Sequence, residues 1–295
     1  MPEDGNLLSE YWKSEATAIK IGRMGYRTRT IKAGTRLEAE VYPIFGRSQE
    51  QKARQEKQNM TKERQQQMNT RRAKRRLILL MENNFSLFDD DAVTLTYAIQ
   101  PDEKRCRKDV RNFLNRVRRL REKRNLPELK YIYAIGWDKD QQIHVHMVMT
   151  GGISQKELVG LWGKGIVNSY LLQSYGKGLQ GMANYLYKQN EKARDNGERV
   201  SYHMWSGSKN LKKPKPHVSD CKMTNRKVRK CALNFHIVGR EIMEKTYPGY
   251  VVEDYYVLFS DVLDGVYIRC VMRKKEDRHE QKAKNQTGPA GAKAV

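Results

Sequence analysis

The sequence has little cysteine, no long apolar run and fewer acidic than basic residues. Its four cysteines, spread over 295 residues, include no Cys-x-x-Cys pair, which argues against a zinc site and against a secreted disulfide scaffold, so we expect reduced structural thiols. No stretch approaches the roughly 20 apolar residues of a membrane-spanning helix. The N-terminal stretch MPEDGNLLSEYWKSE lacks the charged-then-apolar order of a signal peptide. We therefore expect a soluble intracellular protein without a membrane partner.

Basic residues dominate the charge of the chain. Lysine and arginine number 57 against 34 aspartates and glutamates, which gives a formal net charge of +23. Such a positive field favours a polyanionic partner over a small neutral ligand. The composition therefore indicates nucleic acid as the first candidate partner.

The N-terminal region combines a short β-prone segment with a strongly basic one. TIKAGTRLEAEVYPIF, around a Gly-containing turn, predicts a small hairpin within residues 18–45. Residues 48–76 are rich in Gln, Lys and Arg, are helix-prone and have almost no apolar face to bury. This segment is either a solvated basic helix or an arm that follows DNA.

The middle of the chain alternates β-prone runs with amphipathic helices. DAVTLTYAI is followed by a helix that begins near Pro101, and LKYIYAIGW and QIHVHMVM form an antiparallel strand pair joined by the short DKDQ turn. A helix, a strand and a second helix follow, the last over residues 178–191. This order predicts an α+β fold with a central, mainly antiparallel sheet of about five strands flanked by helices.

We divide the chain into three segments on this basis. Residues 1–82 form the basic N-terminal region, and residues 83–273 form one domain that includes a helix over 225–245 and two C-terminal strands. Residues 274–295 form a charged tail that we expect to be disordered.

Two histidines stand two positions apart in the strand QIHVHMVM. Residues i and i+2 of a strand point to the same face, so His144 and His146 converge and could bind a divalent metal ion. A hydrogen-bonded His pair without metal is the alternative. On the helix over 178–191, Tyr185 and Lys188 share a face. A tyrosine reacts as a nucleophile only with help from a cation or a polarised electrophile.

Three motifs in this order resemble those of a known family. VTLTYA at 93–98, HVHMVM at 144–149 and YLYK at 185–188 are similar to the motifs of rolling-circle replication initiators, the Rep proteins of the HUH endonuclease superfamily, of the bacterial plasmid and phage type. LWGKG, GMANYLYKQ and WSGSKNLKKP add to the resemblance, which covers residues 78–215. It implies an HUH-nuclease domain of ferredoxin-like (RRM-like) topology, in the cytoplasm of a bacterial host.

The resemblance also implies roles for individual residues. Tyr185 would attack DNA with help from Lys188, and His144 and His146 would bind Mg²⁺ or Mn²⁺, beside a strand, residues 94–97, that shapes the site. Relatives often carry a carboxylate eight residues before the first histidine, where this chain has Gly136. The identity of the third metal ligand is therefore left open, and the candidates are Asp138, Asp140, a distant residue and water.

Single-stranded DNA at a replication origin is the substrate that the resemblance implies. Candidate DNA-binding residues are basic side chains of the helix after Pro101 and of the loop after WSGSKNL, with Trp205 and Tyr202 as aromatic residues that could stack on bases. The basic candidates are Lys104, Arg105, Lys108, Arg111, Lys209, Lys212 and Lys213. The sequence has no G-x-x-x-x-G-K-[ST] phosphate loop, so duplex unwinding would require a host helicase, followed by a polymerase.

Other functions remain open at this point. A conjugative relaxase shares the His pair and the tyrosine, although relaxases resemble the reverse motif order, and a single-tyrosine transposase is typically shorter than this chain. A non-catalytic DNA- or RNA-binding module is the alternative from a different class. Tyr187 could be a second nucleophile. The sequence does not predict an oligomeric state.

Overall fold

The computed structural model describes residues 25–46, 51, 61–137, 142–174, 177–195, 204–259 and 265–275. The chain divides into two compact units, a central unit of residues 61–214 and a second unit built from the segments before and after it. Asp138, Asp140, Tyr202 and the tail after residue 275 lie outside the described residues. Among the helices that are described, none is both long and apolar enough to cross a membrane.

Strands and helices alternate along most of the chain. In chain order they are β1 (Tyr26–Ala33), β2 (Arg36–Pro43), α1 (Lys62–Asn84), β3 (Asp91–Leu95), α2 (Glu103–Lys123), β4 (Tyr131–Trp137), β5 (Ile143–Met149), α3 (Gln155–Trp162), β6 (Val167–Leu171), α4 (Gln180–Asp195), β7 (Ser206–Gly207), β8 (Pro216–Ser219), α5 (Asn225–Leu233), a π-helical turn (Phe235–Gly239), α6 (Arg240–Thr246), β9 (Tyr250–Phe259) and β10 (Val266–Lys274).

The central unit contains a five-stranded sheet with the order β6-β3-β5-β4-β7. All its neighbouring strands are antiparallel. The connection β3-α2-β4-β5-α3-β6 has the strand order of the ferredoxin-like βαββαβ unit, with β7 added at the β4 edge. The predicted α+β class and the antiparallel pairing of the two middle strands are therefore confirmed.

Alternate residues of the sheet face two different layers. Val93, Val145 and Met147 pack in one cluster with apolar residues of α2 and α3. Ala92 and Val148 pack in another with residues of α1 and α4. Because side chains alternate along a strand, the two layers lie on opposite faces of the sheet. The basic helix α2 is thus on the face opposite to α4.

Helix α1 extends beyond the C-terminal end of the predicted helix-prone segment, residues 48–76. It begins at the N-cap Thr61, whose hydroxyl accepts a hydrogen bond from the Arg64 amide, and it continues to Asn84. Its second half is buried from Leu77 to Glu82 and belongs to the core of the central unit. The segment LILLMENN supplies the apolar face that the preceding basic residues lack, whereas residues 61–76 of the same helix are exposed or only partly buried.

The second unit is built on the sheet β8-β1-β2-β10-β9. The predicted N-terminal hairpin is present, with Ala33 paired to Arg36 across its turn. Strand β10 pairs with β2, so that Ile268 and Cys270 join the core of this unit. The last two strands therefore belong with the N-terminal hairpin, whereas the sequence placed them in one domain with the paired histidines. Such long-range pairing leaves no local signal in the sequence.

The helix predicted over 225–245 is interrupted. It begins where predicted, with the Thr224 hydroxyl capping the Lys227 amide. It then passes through the π-helical turn into α6. At Gly239 an added Cβ would lie 3.0 Å from the Tyr255 hydroxyl. The turn therefore brings the backbone at Gly239 close to the Tyr255 side chain of β9, and a larger residue there would require that side chain to shift.

Candidate active site

The two histidines lie side by side on β5, on the face of the sheet that α4 covers. Their ring centroids are 4.7 Å apart and their planes are inclined at 76°. His146 is buried, with 8% of its surface exposed, and His144 is partly exposed. Strand periodicity therefore predicted this juxtaposition correctly.

His146 is the centre of a small hydrogen-bonded group. Its Nδ1 lies 3.1 Å from the hydroxyl of Thr94, its partner in the β3–β5 ladder. The Tyr185 hydroxyl lies 3.0 Å from Nε2 and 3.3 Å from Nδ1. Burial, and secondarily the neighbouring His144, lowers the pKa of His146 to about 4. The imidazole is thus neutral at pH 7, which is the form that binds metal ions.

His144 is held between its own strand and α4. Its Nδ1 lies 3.3 Å from the Gln142 carbonyl oxygen, and its Nε2 lies 3.4 Å from Oε1 of Gln189. Gly136 faces it in the β4–β5 ladder. An added Cβ at Gly136 would lie 2.7 Å from the His144 Nε2 and 2.8 Å from the Gln189 Oε1. The glycine therefore makes room for both side chains.

Tyr185 projects from α4 over His146. The two ring centroids are 4.8 Å apart, and 43% of the tyrosine surface is exposed. Burial, followed by the proximity of Tyr170, raises the pKa of Tyr185. The phenol is therefore protonated at neutral pH and requires activation before it can act as a nucleophile.

The neighbours of Tyr185 on α4 have different environments. Tyr187 is only 2% exposed, belongs to the apolar cluster and lies beneath the Lys74 ammonium, 4.9 Å from its ring centroid. Its hydroxyl is not presented to solvent, which argues against a role as second nucleophile. Lys188 is exposed, one turn from Tyr185.

The predicted DNA-binding residues divide between two faces. The α2 side chains Lys104, Arg105, Lys108 and Arg111 are exposed, but their helix lies across the sheet from Tyr185. After β7, the loop residues Lys209, Lys212 and Lys213 are exposed as well. The same loop is anchored to α1, because the Lys212 backbone exchanges hydrogen bonds with Asn84. Trp205 is partly buried and packs against the apolar cluster beneath α4, so packing accounts for this aromatic residue.

Two imidazoles and one amide are polar side chains that come together at this point. Within the described residues, no group of three or more His, Cys, Asp or Glu side chains converges. Gln189 presents its Oε1 to His144 and so supplies a side-chain oxygen beside the histidine pair. The sequence did not predict that Gln189 lies beside the histidines. Its position four residues after Tyr185 on a helix was the available signal, because i and i+4 share a face.

Tyr170 is a second residue that the sequence did not indicate. It faces Ala92 in the β3–β6 ladder, which places it on the same face as Tyr185, and 46% of its surface is exposed. The face around the candidate site thus presents two half-exposed tyrosines.

Comparison with known families gives one match. Residues 90–193 match the family REP_ORF2-G2P, described as replication-associated protein ORF2/G2P. The matched segment runs from the start of β3 into α4, and it includes both histidines, Tyr185 and Gln189. No curated protein and no solved structure matches the chain significantly. The match covers the candidate site, so residues 90–193 are similar to a replication-associated protein in the part of the chain that carries both histidines and Tyr185.

Proposed function

We propose that this protein is a metal-dependent HUH-type endonuclease that nicks and rejoins single-stranded DNA at a replication origin, and so initiates rolling-circle replication of a bacterial plasmid or phage. The observation that carries the proposal is the contact between the Tyr185 hydroxyl and His146 Nε2, at 3.0 Å. A half-exposed tyrosine beside two converging imidazoles combines a nucleophile with metal ligands. The family match over residues 90–193 supports the replication role.

The residues present fit a divalent cation. His144 and His146 offer ring nitrogens, and Gln189 offers an amide oxygen next to His144. Imidazole and oxygen ligands suit Mn²⁺ and Mg²⁺, of which Mn²⁺ binds imidazole more tightly. A cation held there would polarise the scissile phosphate and offset the charge that develops on it. In our proposal Gln189 replaces the carboxylate that is absent at Gly136, and Asp138 remains a candidate ligand outside the described residues.

The chemical step requires few groups from the protein itself. The phenolic oxygen of Tyr185 forms a bond to phosphorus, and the bond from phosphorus to the 3′-oxygen breaks. The phenol loses its proton to solvent, and the leaving 3′-oxygen takes up a proton from solvent. The product is a 5′-phosphotyrosine and a free 3′-hydroxyl. Because the new bond is also a phosphodiester, a 3′-hydroxyl can attack it in the reverse sense and reseal the strand without ATP. Thr94 fixes the His146 ring, and Lys188 adds positive charge beside the reacting phosphate.

The substrate follows from the same arrangement. A tyrosine on a surface helix reaches a phosphate of a flexible single strand more readily than one within a paired duplex. The chain carries no phosphate-loop sequence for unwinding DNA. We therefore propose that a host helicase exposes the strand and that a host polymerase extends the 3′-hydroxyl.

The proposal is tested by trapping the covalent intermediate. Labelled single-stranded oligonucleotides tiled across the replicon that encodes the protein are incubated with it and Mn²⁺ or EDTA, then resolved on a denaturing gel. We expect a metal-dependent covalent adduct with one oligonucleotide. Tyr185→Phe should abolish the adduct while leaving DNA binding intact.

Two matched variants provide controls for that experiment. Tyr187→Phe removes the same hydroxyl from the same helix at a buried position, and Tyr170→Phe removes it from an exposed tyrosine on the same face. Both should form the adduct. If no oligonucleotide forms an adduct while salt-sensitive binding persists, the protein is a binding module and the nuclease proposal is wrong. Preferred joining to ends of a mobile element, without activity at an origin, would instead support a transposase or relaxase.

A further inference from the structure

A polar pocket lies on the face of the central sheet opposite to Tyr185. It is formed between α2, β4 and the edge strand β7, and it has a volume of about 280 Å³. This volume is just below the range of small-ligand pockets, about 300–1,000 Å³, and is sufficient for part of a ligand only. The lining residues are Arg107, Arg111, Leu114, Asn115, Arg118, Tyr131, Tyr133 and Ser206.

The arginines give this pocket, which we name the Arg–Tyr pocket, an excess of positive charge. Arg107 donates two hydrogen bonds to Glu103, and Arg118 donates one to the neutral side chain of Asn115. Arg111 is exposed and has no polar partner among the described side chains. Two of the three guanidinium groups are therefore not paired with a carboxylate of the described residues. Guanidinium groups bind phosphate through paired, planar hydrogen bonds.

Two tyrosines line the pocket next to these arginines. Tyr131 and Tyr133 occupy alternate positions of β4, with ring centroids 6.2 Å apart and an inclination of 32°. Both rings are partly buried against the core beneath α2 and line the pocket. Aromatic rings exposed at a sheet edge beside guanidinium groups are a common platform for stacking nucleic acid bases.

We propose that the Arg–Tyr pocket binds one nucleotide of a single-stranded DNA segment, with the phosphate at Arg111 and Arg118 and the base on the tyrosines. The exposed basic residues of α2 favour a strand over a free nucleotide as the source. Lys104, Lys108 and Arg111 follow one another at spacings of four and three residues, so they share one face of the helix. This row continues beyond the pocket and would contact further phosphates of the same strand. The site is separate from the nicking site and stands whether or not Tyr185 reacts with DNA.

Photo-cross-linking tests where the base lies. An oligonucleotide with 5-iodo-2′-deoxyuridine in place of thymidine is irradiated with the full chain carrying Tyr185→Phe, and cross-linked peptides are identified by mass spectrometry. We expect cross-links at Tyr131 or Tyr133, and we expect them to be lost in Arg111→Ala/Arg118→Ala. Cross-links confined to other residues, such as Tyr170, would overturn the proposal.

Equilibrium binding tests the phosphate contacts. Arg111→Ala/Arg118→Ala should weaken oligonucleotide binding about tenfold and reduce the slope of log affinity against log salt by about 0.7 for each lost contact. Arg119→Ala/Lys123→Ala removes two exposed charges from the same helix outside the pocket and is the matched control. Tyr133→Leu keeps the apolar packing and should also weaken binding.

Three results would contradict this assignment. Equal weakening by the pocket variant and its control would show a diffuse basic surface in place of a site. Unchanged affinity in Tyr133→Leu together with an unchanged cross-link pattern would exclude base stacking. Saturable binding of deoxythymidine monophosphate that is tighter than binding of the oligonucleotide would assign the pocket to a free nucleotide.

Discussion

Gly136 lies directly opposite His144 in the β4–β5 ladder, and the space above this glycine is occupied by the imidazole of His144 and the side chain of Gln189. The strand, the histidine and the helix that carries Tyr185 therefore meet at a position without a side chain. Position 136, where the resemblance implies a carboxylate, is therefore next to the side-chain amide of Gln189, which lies beside His144.

Gly136→Ala should reduce adduct formation without unfolding the protein. The new methyl group would lie 2.7 Å from the His144 Nε2 and 2.8 Å from the Gln189 Oε1, which are far ends of side chains that can move. We expect the fold to persist and adduct formation to fall at least about tenfold, since small displacements at a reacting centre are costly. Adduct formation and thermal unfolding measured on the same preparation test this. An equal loss of folded protein and of activity would contradict it.

Metal binding should stabilise the central unit through His144, His146 and Gln189. A ligand that binds only the folded state at 100 times its Kd adds about 2.7 kcal/mol to the free energy of unfolding. We expect Mn²⁺ to raise the melting temperature of the wild-type protein, and His144→Ala or His146→Ala to abolish this rise. Differential scanning fluorimetry with Mn²⁺ and with EDTA is the measurement.

Variants of Gln189 test in the same experiment whether its amide oxygen is a metal ligand. Gln189→Ala should reduce the Mn²⁺-dependent rise, whereas Gln189→Glu, which supplies a carboxylate oxygen, should retain or increase it. An Mn²⁺ effect that is the same in wild type, Gln189→Ala and Gln189→Glu would show that the amide is not a ligand.

Removing the Lys188 ammonium should slow adduct formation and leave the stability of the folded protein unchanged. It is exposed one turn from Tyr185, so its removal exposes no core and leaves no buried group unpaired. We expect Lys188→Ala to slow adduct formation about tenfold or more, with Lys188→Arg in between, because a cation near the developing charge stabilises the transition state. Single-turnover rates and melting temperatures check this, and unchanged rates would remove Lys188 from the mechanism.

Asp91 should make stability fall as pH rises. Burial, and next the neighbouring Asp90, raises its pKa from 3.8 to about 6, while Arg121 opposes the shift. Because the folded state then binds this proton more tightly than the unfolded state, the protein loses stability through this group between pH 3.8 and about 6. The side chain of Asp91→Asn cannot ionise. The free energy of unfolding of this variant should therefore increase relative to that of the wild type across this pH window, by up to about 3 kcal/mol.

Denaturant unfolding followed by tryptophan fluorescence measures this difference. The described tryptophans Trp137, Trp162 and Trp205 all lie in the central unit together with Asp91. Asp89→Asn, a change at an exposed neighbouring position, is the control and should show no such window-dependent gain. A constant difference between Asp91→Asn and wild type at about pH 4 and about pH 7 would be contrary to the expected linkage.

Local patterns in the sequence were sufficient to predict which faces of their strand and helix the two histidines and Tyr185 occupy. Strand alternation placed His144 and His146 on one face, as the structure has them. Helical periodicity placed Tyr185 and Lys188 on a shared face of the helix, where both are exposed. The antiparallel strand pair and the Thr224 cap were likewise predictable, because a short turn and a capping hydroxyl are local signals.

Long-range relationships could not be predicted in the same way. Nothing local in the sequence indicates that β10 pairs with β2, or that α2 and α4 lie on opposite faces of the sheet. Lys104 and Arg111 were predicted to bind DNA, and the sequence did not indicate on which face of the sheet they lie relative to Tyr185. The position of Gln189 beside His144 was not predicted, because it depends on the neighbouring strand carrying a glycine at 136.

The measurement that tests the nuclease mechanism most directly is peptide mapping of the DNA adduct. The trapped complex is digested with protease and nuclease, and the residue that carries the remaining nucleotide is identified by tandem mass spectrometry. We predict a single modified peptide with a 5′-phosphate linked to the Tyr185 hydroxyl, formed only with Mn²⁺ or Mg²⁺. Attachment to Tyr170, Tyr187 or another residue, or the absence of any adduct on every strand of the replicon, would contradict this mechanism.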